Sequence, residues 1–189
     1  MRIILGTASK QRRQVFEEMG YKDFEILTAD IDEKAIRLDN PQELTIALAK
    51  AKATALTKRI EEPAILITAD QVISWNGTIR EKPENEKEAR EFLRTYYLAP
   101  AMIVNGVVVT NTATGKQVLG NDSTKVIFAE IPKDAINRIL AESSVLEWAG
   151  GFAIENPLFK PYIEDIEGVA GSSRGLPEAL TKKLIEEVS

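Results

Sequence analysis

The chain has 189 residues, 44% of them hydrophobic and 28% charged, with a formal net charge of −5; that is the balance of a folded domain with ample core material, and it argues against broad nucleic-acid binding. There is no cysteine and no histidine, which excludes disulfides, thiolate or imidazole zinc sites, and catalysis by a histidine base or a cysteine nucleophile. Hydrolytic chemistry then falls to carboxylates, lysines, arginines, hydroxyls and a hard metal ion on oxygen ligands, and with no membrane-length apolar run and no leader-like start the expected location is cytoplasmic, away from membranes.

Residues 2–5 read as a short buried strand closed by Gly6. A helix over 9–19 follows, with Val15, Phe16 and Met19 at helical spacing and Gly20 as its C-terminal stop. Residues 24–28 predict a second strand, which leads into the acidic loop Asp30-Ile31-Asp32-Glu33. Pro41 opens a long helix reaching about Arg59, with Leu44, Leu48, Ala51 and Ala55 on one face. The apolar run 64–68 predicts a strand covered on both faces and ending at Asp70. Asn76-Gly77 is a hairpin signal that pairs 72–75 with 78–80. A helix over 85–96, a long hairpin of 102–111 and 117–130 around Thr114-Gly115, and a helix over 132–141 come next. A Gly-Gly loop at 150–151 and a last helix after Pro177 complete the order. Such an order indicates an α/β fold with a mixed twisted sheet and flanking helices, and 81–85 is the candidate crossing between lobes.

Five features carry chemistry. Ser9-Lys10-Gln11-Arg12-Arg13 follows a strand and a glycine, so with Ser9 as N-cap three cations fall in the first helical turn, where they oppose the helix dipole. An anion resolves that conflict, and free amide N–H groups, a hydroxyl and guanidinium forks suit a phosphate; the alternative is a solvated basic turn partnered by Glu17 and Glu18. Asp30, Asp32 and Glu33 form either a Mg²⁺ or Mn²⁺ ligand set or a solvated acidic loop. Asp70, at a strand end where α/β sheets gather ligands, is a desolvated carboxylate that serves a metal, a cation or a water, or else accepts loop hydrogen bonds. Lys52 lies at the border of the apolar stripe of its helix, where a lysine most simply snorkels to water, and Lys82 can return toward Asp70 through the hairpin.

The segments Leu5-Gly6-Thr7-Ala8-Ser9-Lys10-Gln11-Arg12-Arg13, Asp30-Ile31-Asp32-Glu33, Leu48-Ala49-Lys50-Ala51-Lys52-Ala53, Ala69-Asp70-Gln71-Val72, Lys82-Pro83 and Gly175-Leu176-Pro177 occur in this order. Together they resemble, almost end to end, the Maf family of nucleotide pyrophosphatases. The resemblance implies a single domain over 1–189, Maf/ITPase-like, with two lobes around a deep cleft, acting as a homodimer. It implies nucleoside triphosphate substrates, dTTP/UTP or modified nucleotides, cleaved to the monophosphate and pyrophosphate with Mg²⁺ or Mn²⁺. Carried over position by position, Ser9, Arg12 and Arg13 bind phosphates, and Lys52 and Lys82 add charge, with Lys82 in a catalytic role. Glu33 and Asp70 are the metal and water-activating carboxylates, with Gln71 alongside. Lys10 stands where the family usually has proline. Glu155, in Ala149-Gly150-Gly151-Phe152-Ala153-Ile154-Glu155, replaces a glutamine expected at the base or the metal. With Ile79-Arg80-Glu81-Lys82-Pro83, these departures are more similar to the plant-type branch than to the bacterial ones. Two other readings use the same residues: a non-catalytic nucleotide-binding regulator of cell division, and a metal-dependent phosphomonoesterase releasing orthophosphate.

Overall fold

A computed structural model describes residues 1–168 and 170–189. Along the chain come β1 (Arg2–Gly6), α1 (Lys10–Glu18), β2 (Glu25–Leu27), α2 (Pro41–Thr57), β3 (Ala64–Trp75), β4 (Thr78–Arg80), α3 (Glu86–Thr95), β5 (Ala101–Asn111), β6 (Gln117–Phe128), α4 (Lys133–Glu142), β7 (Ile163–Glu167) and α5 (Glu178–Val188). The strands follow the order β2-β1-β3-β5-β6-β7, with β4 beside β3. Pairing is mixed, as the sequence predicts: β1 runs parallel to β2 and β3, whereas β3–β4 and β6–β7 are antiparallel. The helix starts are chemically specified. Ser9, Asn40 and Asn85 accept the amide N–H of Arg12, Glu43 and Glu88 respectively, each as an N-cap. The turn at Asn76-Gly77 has φ values of 46° and 77°, the left-handed pair that a two-residue hairpin requires.

Two compact units emerge: Met1–Gln71, Asn105–Asp122 and Arg174–Ser189 in the first, Val72–Val104 and Ser123–Ser173 in the second. Residues 81–85 lie wholly in the second unit and are no crossing. Three of the four passages fall inside β3, β5 and β6 instead. A strand interior carries none of the proline, glycine or charge signals by which a linker is recognised.

In the first unit, alternate residues of β3 face opposite layers. Leu66 packs with Ile4, Val108, Ala49, Ala53 and Leu56, on the α2 side. Ile65 and Ile67 pack with Val15 and Phe16 of α1 and with Leu184 and Val188 of α5. The buried face of α2 is Leu44, Thr45, Leu48, Ala49, Ala53 and Leu56, so Ala51 and Ala55, expected on it, are only half-buried. In an alanine-rich helix hydrophobicity ranks the faces poorly; the approach of α2 to β5 decides. That approach is close, because a Cβ on Gly106 would lie 2.6 Å from the Thr45 carbonyl carbon.

The second unit is built around Tyr96, whose ring meets those of Phe128 and Phe152 at centroid distances of 5.3 and 5.1 Å. The Arg80 guanidinium lies 3.8 Å from the Trp75 ring centroid and donates to the Phe92 carbonyl and Thr95 Oγ1. The Tyr96 hydroxyl donates to the Gly150 carbonyl at 2.7 Å, and burial holds its pKa well above the usual phenol value. An unfolded tyrosine ionises near pH 10, whereas the buried phenol stays neutral there. Its contribution is therefore complete below pH 10 and is lost as pH rises further toward the folded value, at about 1.4 kcal/mol per pH unit. Tyr96→Phe should cost about 1–3 kcal/mol at pH 7 by orphaning the Gly150 carbonyl, and it should flatten the fall in urea stability above pH 10. Equal alkaline slopes in both proteins would contradict this.

Candidate active site

The site starts where β1 ends. Thr7 Oγ1 accepts the Ser9 amide N–H at 3.0 Å, and Ser9 Oγ accepts that of Arg12 at 3.3 Å, so the loop delivers α1 with its cap made. No acidic residue occupies the first turn. The three cations there then part company. Lys10 is exposed, and Arg13 turns outward to Glu17 Oε1 at 2.9 Å, the solvated pairing that the sequence allows. Arg12 alone turns inward, donating through Nε to the Gly175 carbonyl at 2.9 Å and through Nη1 to the Ala69 carbonyl at 2.7 Å. Both acceptors are neutral. Burial pulls the Arg12 pKa below its ordinary value, and the charges of Asp70 and then Glu33 act against that loss.

Asp70 sits in the middle of β3, which runs on to Trp75; the strand does not end there as expected. The continuation is the hairpin with β4, so the carboxylate is carried on a rigid strand and not on a loop. Its Oδ1 lies 2.6 Å from Lys52 Nζ, which also reaches Glu33 Oε1 at 2.9 Å. The side chains of Lys52 and Asp70 are only 12% and 10% exposed, so Lys52 does not snorkel to water: a nearly dry carboxylate draws the ammonium in. The register is set by Thr68, whose Oγ1 donates to the Ala49 carbonyl at 2.8 Å. One turn further along α2 is Lys52, and two residues further on the same face of β3 is Asp70.

Glu33 opens a 3₁₀ turn at Glu33–Ala35 and is 54% exposed. Asp30 and Asp32 are also exposed, and among the described residues no three or more Asp and Glu side chains are grouped to hold a metal. The acidic loop thus sends in one carboxylate. Gln71 faces away from Asp70, and its Nε2 donates to Asn105 Oδ1 at 3.1 Å. Asn105 is fully buried and was not singled out from the sequence; its signal is one polar residue within the apolar run 102–109. Direct contacts therefore unite Glu33, Lys52 and Asp70, Arg12 joins through the Ala69 carbonyl, and Ser9 joins by capping the Arg12 amide. Lys82 and Glu155 belong to the second unit. Both are exposed, and Glu155 accepts the Ser173 hydroxyl.

A family model described as Maf-like protein matches residues 2–188. The chain belongs to the Maf-like family. A relative in Dictyostelium discoideum, a 7-methyl-GTP pyrophosphatase, is 43% identical over 99% of this chain and 97% of its own length. A dTTP/UTP pyrophosphatase of Alkaliphilus metalliredigens is 32% identical over 93% and 90%, respectively, and one of Clostridium perfringens is 30% identical over 98% and 96%. The solved structure of a nucleoside-triphosphatase / dITP/XTP pyrophosphatase from Mycobacterium abscessus aligns over 99% of this chain and 94% of that one, at 10% identity and a TM-score of 0.46.

Proposed function

We propose that this chain is a nucleoside triphosphate pyrophosphatase, cleaving its substrate to the nucleoside monophosphate and pyrophosphate at Glu33, Lys52 and Asp70. The observation that carries the reading is the buried Asp70 carboxylate, held at 2.6 Å by Lys52 in a member of this family. In this reading Asp70 takes a proton from the water that attacks the α-phosphorus. The bond from that phosphorus to the bridging oxygen of the β-phosphate breaks, and pyrophosphate leaves. Arg12 and Lys52 stabilise charge on the phosphates, and the N-terminus of α1 after Ser9 adds its amide groups. Arg13 joins them at small cost, since its exposed pair with Glu17 is worth about 0.2–1 kcal/mol. Lys82 is assigned a further charge on the phosphates, Gln71 contact with the substrate and Glu155 the nucleobase; these roles rest on the resemblance.

A hard divalent cation fits the donor set. Glu33 and Asp70 are both carboxylates, and both reach the point taken by Lys52 Nζ; magnesium is commonly bound by one or two carboxylates together with substrate phosphates. Those two residues would hold Mg²⁺ or Mn²⁺, which supplies neutralising charge and a more acidic bound water. The substrate we favour is 7-methyl-GTP over dTTP or UTP. The relative bearing the first name is 43% identical, those bearing the second 32% and 30%, and the carboxylate of Glu155 complements the positive charge of a 7-methylguanine ring. No helix among the described residues is long and apolar enough to cross a membrane; a cytoplasmic homodimer is the setting proposed.

The experiment is to incubate 7-methyl-GTP, GTP, dTTP and UTP with the protein and Mg²⁺ or Mn²⁺, then separate the products. Monophosphate plus pyrophosphate, fastest from 7-methyl-GTP, is expected. Orthophosphate as the first product would replace this reading with a phosphomonoesterase, and tight binding without turnover would replace it with a nucleotide-binding regulator.

A further inference from the structure

We propose that Gly175 is a positioning residue for Arg12, acting through both its carbonyl and its missing side chain; this rests on the phosphate role proposed for Arg12. The Gly175 carbonyl accepts Arg12 Nε at 2.9 Å, while the Ala69 carbonyl accepts Nη1 at 2.7 Å. A guanidinium has five N–H groups, so these two bonds fix its plane and leave three, both on Nη2 among them, for an anion. A Cβ built on Gly175 would lie 2.8 Å from Arg12 Nε, 3.3 Å from Nη2 and 3.5 Å from Cζ. It would press on the guanidinium itself, not on the end of an idle side chain.

The backbone of Gly175 cannot easily give way. On one side Arg174 donates to both carboxylate oxygens of Glu18 in α1, at 3.0 and 2.7 Å. On the other, Leu176 is fully buried in the core it shares with Val15 and Phe16. Gly175 itself has φ +83°, which a side chain rarely adopts. With the loop pinned to α1 and to the core, Arg12 is the group that must move. The stretch Gly175-Leu176-Pro177 thus reaches the active-site side of β3 without touching the substrate: it orients the arginine that does.

The test separates this from a loss of fold. Gly175→Ala is compared with Gly20→Ala, because Gly20 has a similar φ of +97° at the end of α1 but nothing within 4 Å of a built Cβ. Affinity for inorganic tripolyphosphate is measured by calorimetry, alongside kcat, KM and Tm. Both variants should lower Tm, and only Gly175→Ala should weaken tripolyphosphate binding, by about tenfold, the value of one charge-assisted hydrogen bond. In an Arg12→Lys background, whose ammonium does not fill the space beside Gly175, the same substitution should add less than about twofold. If Gly175→Ala does not fold, Gly175→Asn, which tolerates a positive φ but still carries a Cβ, decides. Equal tripolyphosphate affinity in wild type and Gly175→Ala, or losses that add fully in the Arg12→Lys background, would overturn the proposal while leaving the function intact. A wild-type protein that binds no tripolyphosphate would overturn the phosphate role of Arg12, and this proposal with it.

Discussion

Replacing Asp70 by asparagine should lower turnover by about 10²–10⁴-fold, the usual contribution of a positioned base, in a chain that still folds. The amide keeps the volume of the carboxylate and one acceptor oxygen, so the packing of α2 on β3 and the bond from Thr68 Oγ1 to the Ala49 carbonyl stay in place. Lys52 is not orphaned, because Glu33 remains within 2.9 Å of its Nζ. What disappears is the one buried carboxylate in contact with Lys52, in a chain with no histidine to take over as base. Pyrophosphate release measures the effect, and circular dichroism with a thermal melt checks the fold. Turnover within tenfold of wild type in a folded variant would remove Asp70 from the mechanism.

Lys52→Met should produce the largest loss of stability, about 2–4 kcal/mol in urea unfolding, together with loss of turnover. Methionine matches the length of the aliphatic stem but leaves Asp70, 10% exposed, with no cation in contact among the described residues. It also leaves Glu33 as a like charge nearby, so the carboxylate pair that Lys52 bridges becomes repulsive. The decisive comparison is the double substitution Lys52→Met with Asp70→Asn. Removing both charges should be milder than removing the cation alone, because the cost lies in the unpaired buried charge and not in the lost attraction. A double variant no more stable than Lys52→Met would show that Lys52 matters as packing, and the electrostatic account of the cluster would fall.

Much of the fold is legible in the chain because its punctuation is strong. Ser9, Asn40 and Asn85 announce helix starts, and Asn76-Gly77 fixes a hairpin whose register places Ser74 opposite Ile79. Where breakers are missing, the reading stops short. Asp70, a carboxylate closing an apolar run, reads as the end of a strand and so splits β3 from the hairpin strand at 72–75 that continues it, and β7, with the sequence IEDIE, hides as an acidic segment with two isoleucines. The site was half legible. Arg12 lies one turn before Phe16, and Lys52 one turn before Leu56; both partners are buried, so a wheel count could have marked these two cations as the inward ones. Exposed Arg13 takes the solvated pairing with Glu17 that the charges allow, whereas half-buried Lys52 departs from the expectation that it snorkels to water. Glu33 had no such signal, since it reaches Lys52 from a 3₁₀ turn without a period to follow.

The interleaving of the two units sets a timetable for making the protein. Leu5 and Phe16 share their core with Leu184 and Val188, and Asn111 Nδ2 donates to the Val188 carbonyl at 3.2 Å. A ribosome that has just finished β3 has supplied the apolar faces of α1 and β1 but not the helix that covers them. At roughly 5–20 residues per second, that cover is on the order of ten seconds away. During this interval the nascent chain exposes Ile65 and Ile67 beside unpaired strand edges, which is the kind of surface that chaperones bind and that aggregates form from. The second unit, bounded by Val72 and Ser173, has all its residues before α5 is made. Synthesis therefore completes the unit bearing Asp70 last, and loss of the final turn of α5 should be felt in β1, at the opposite end of the chain.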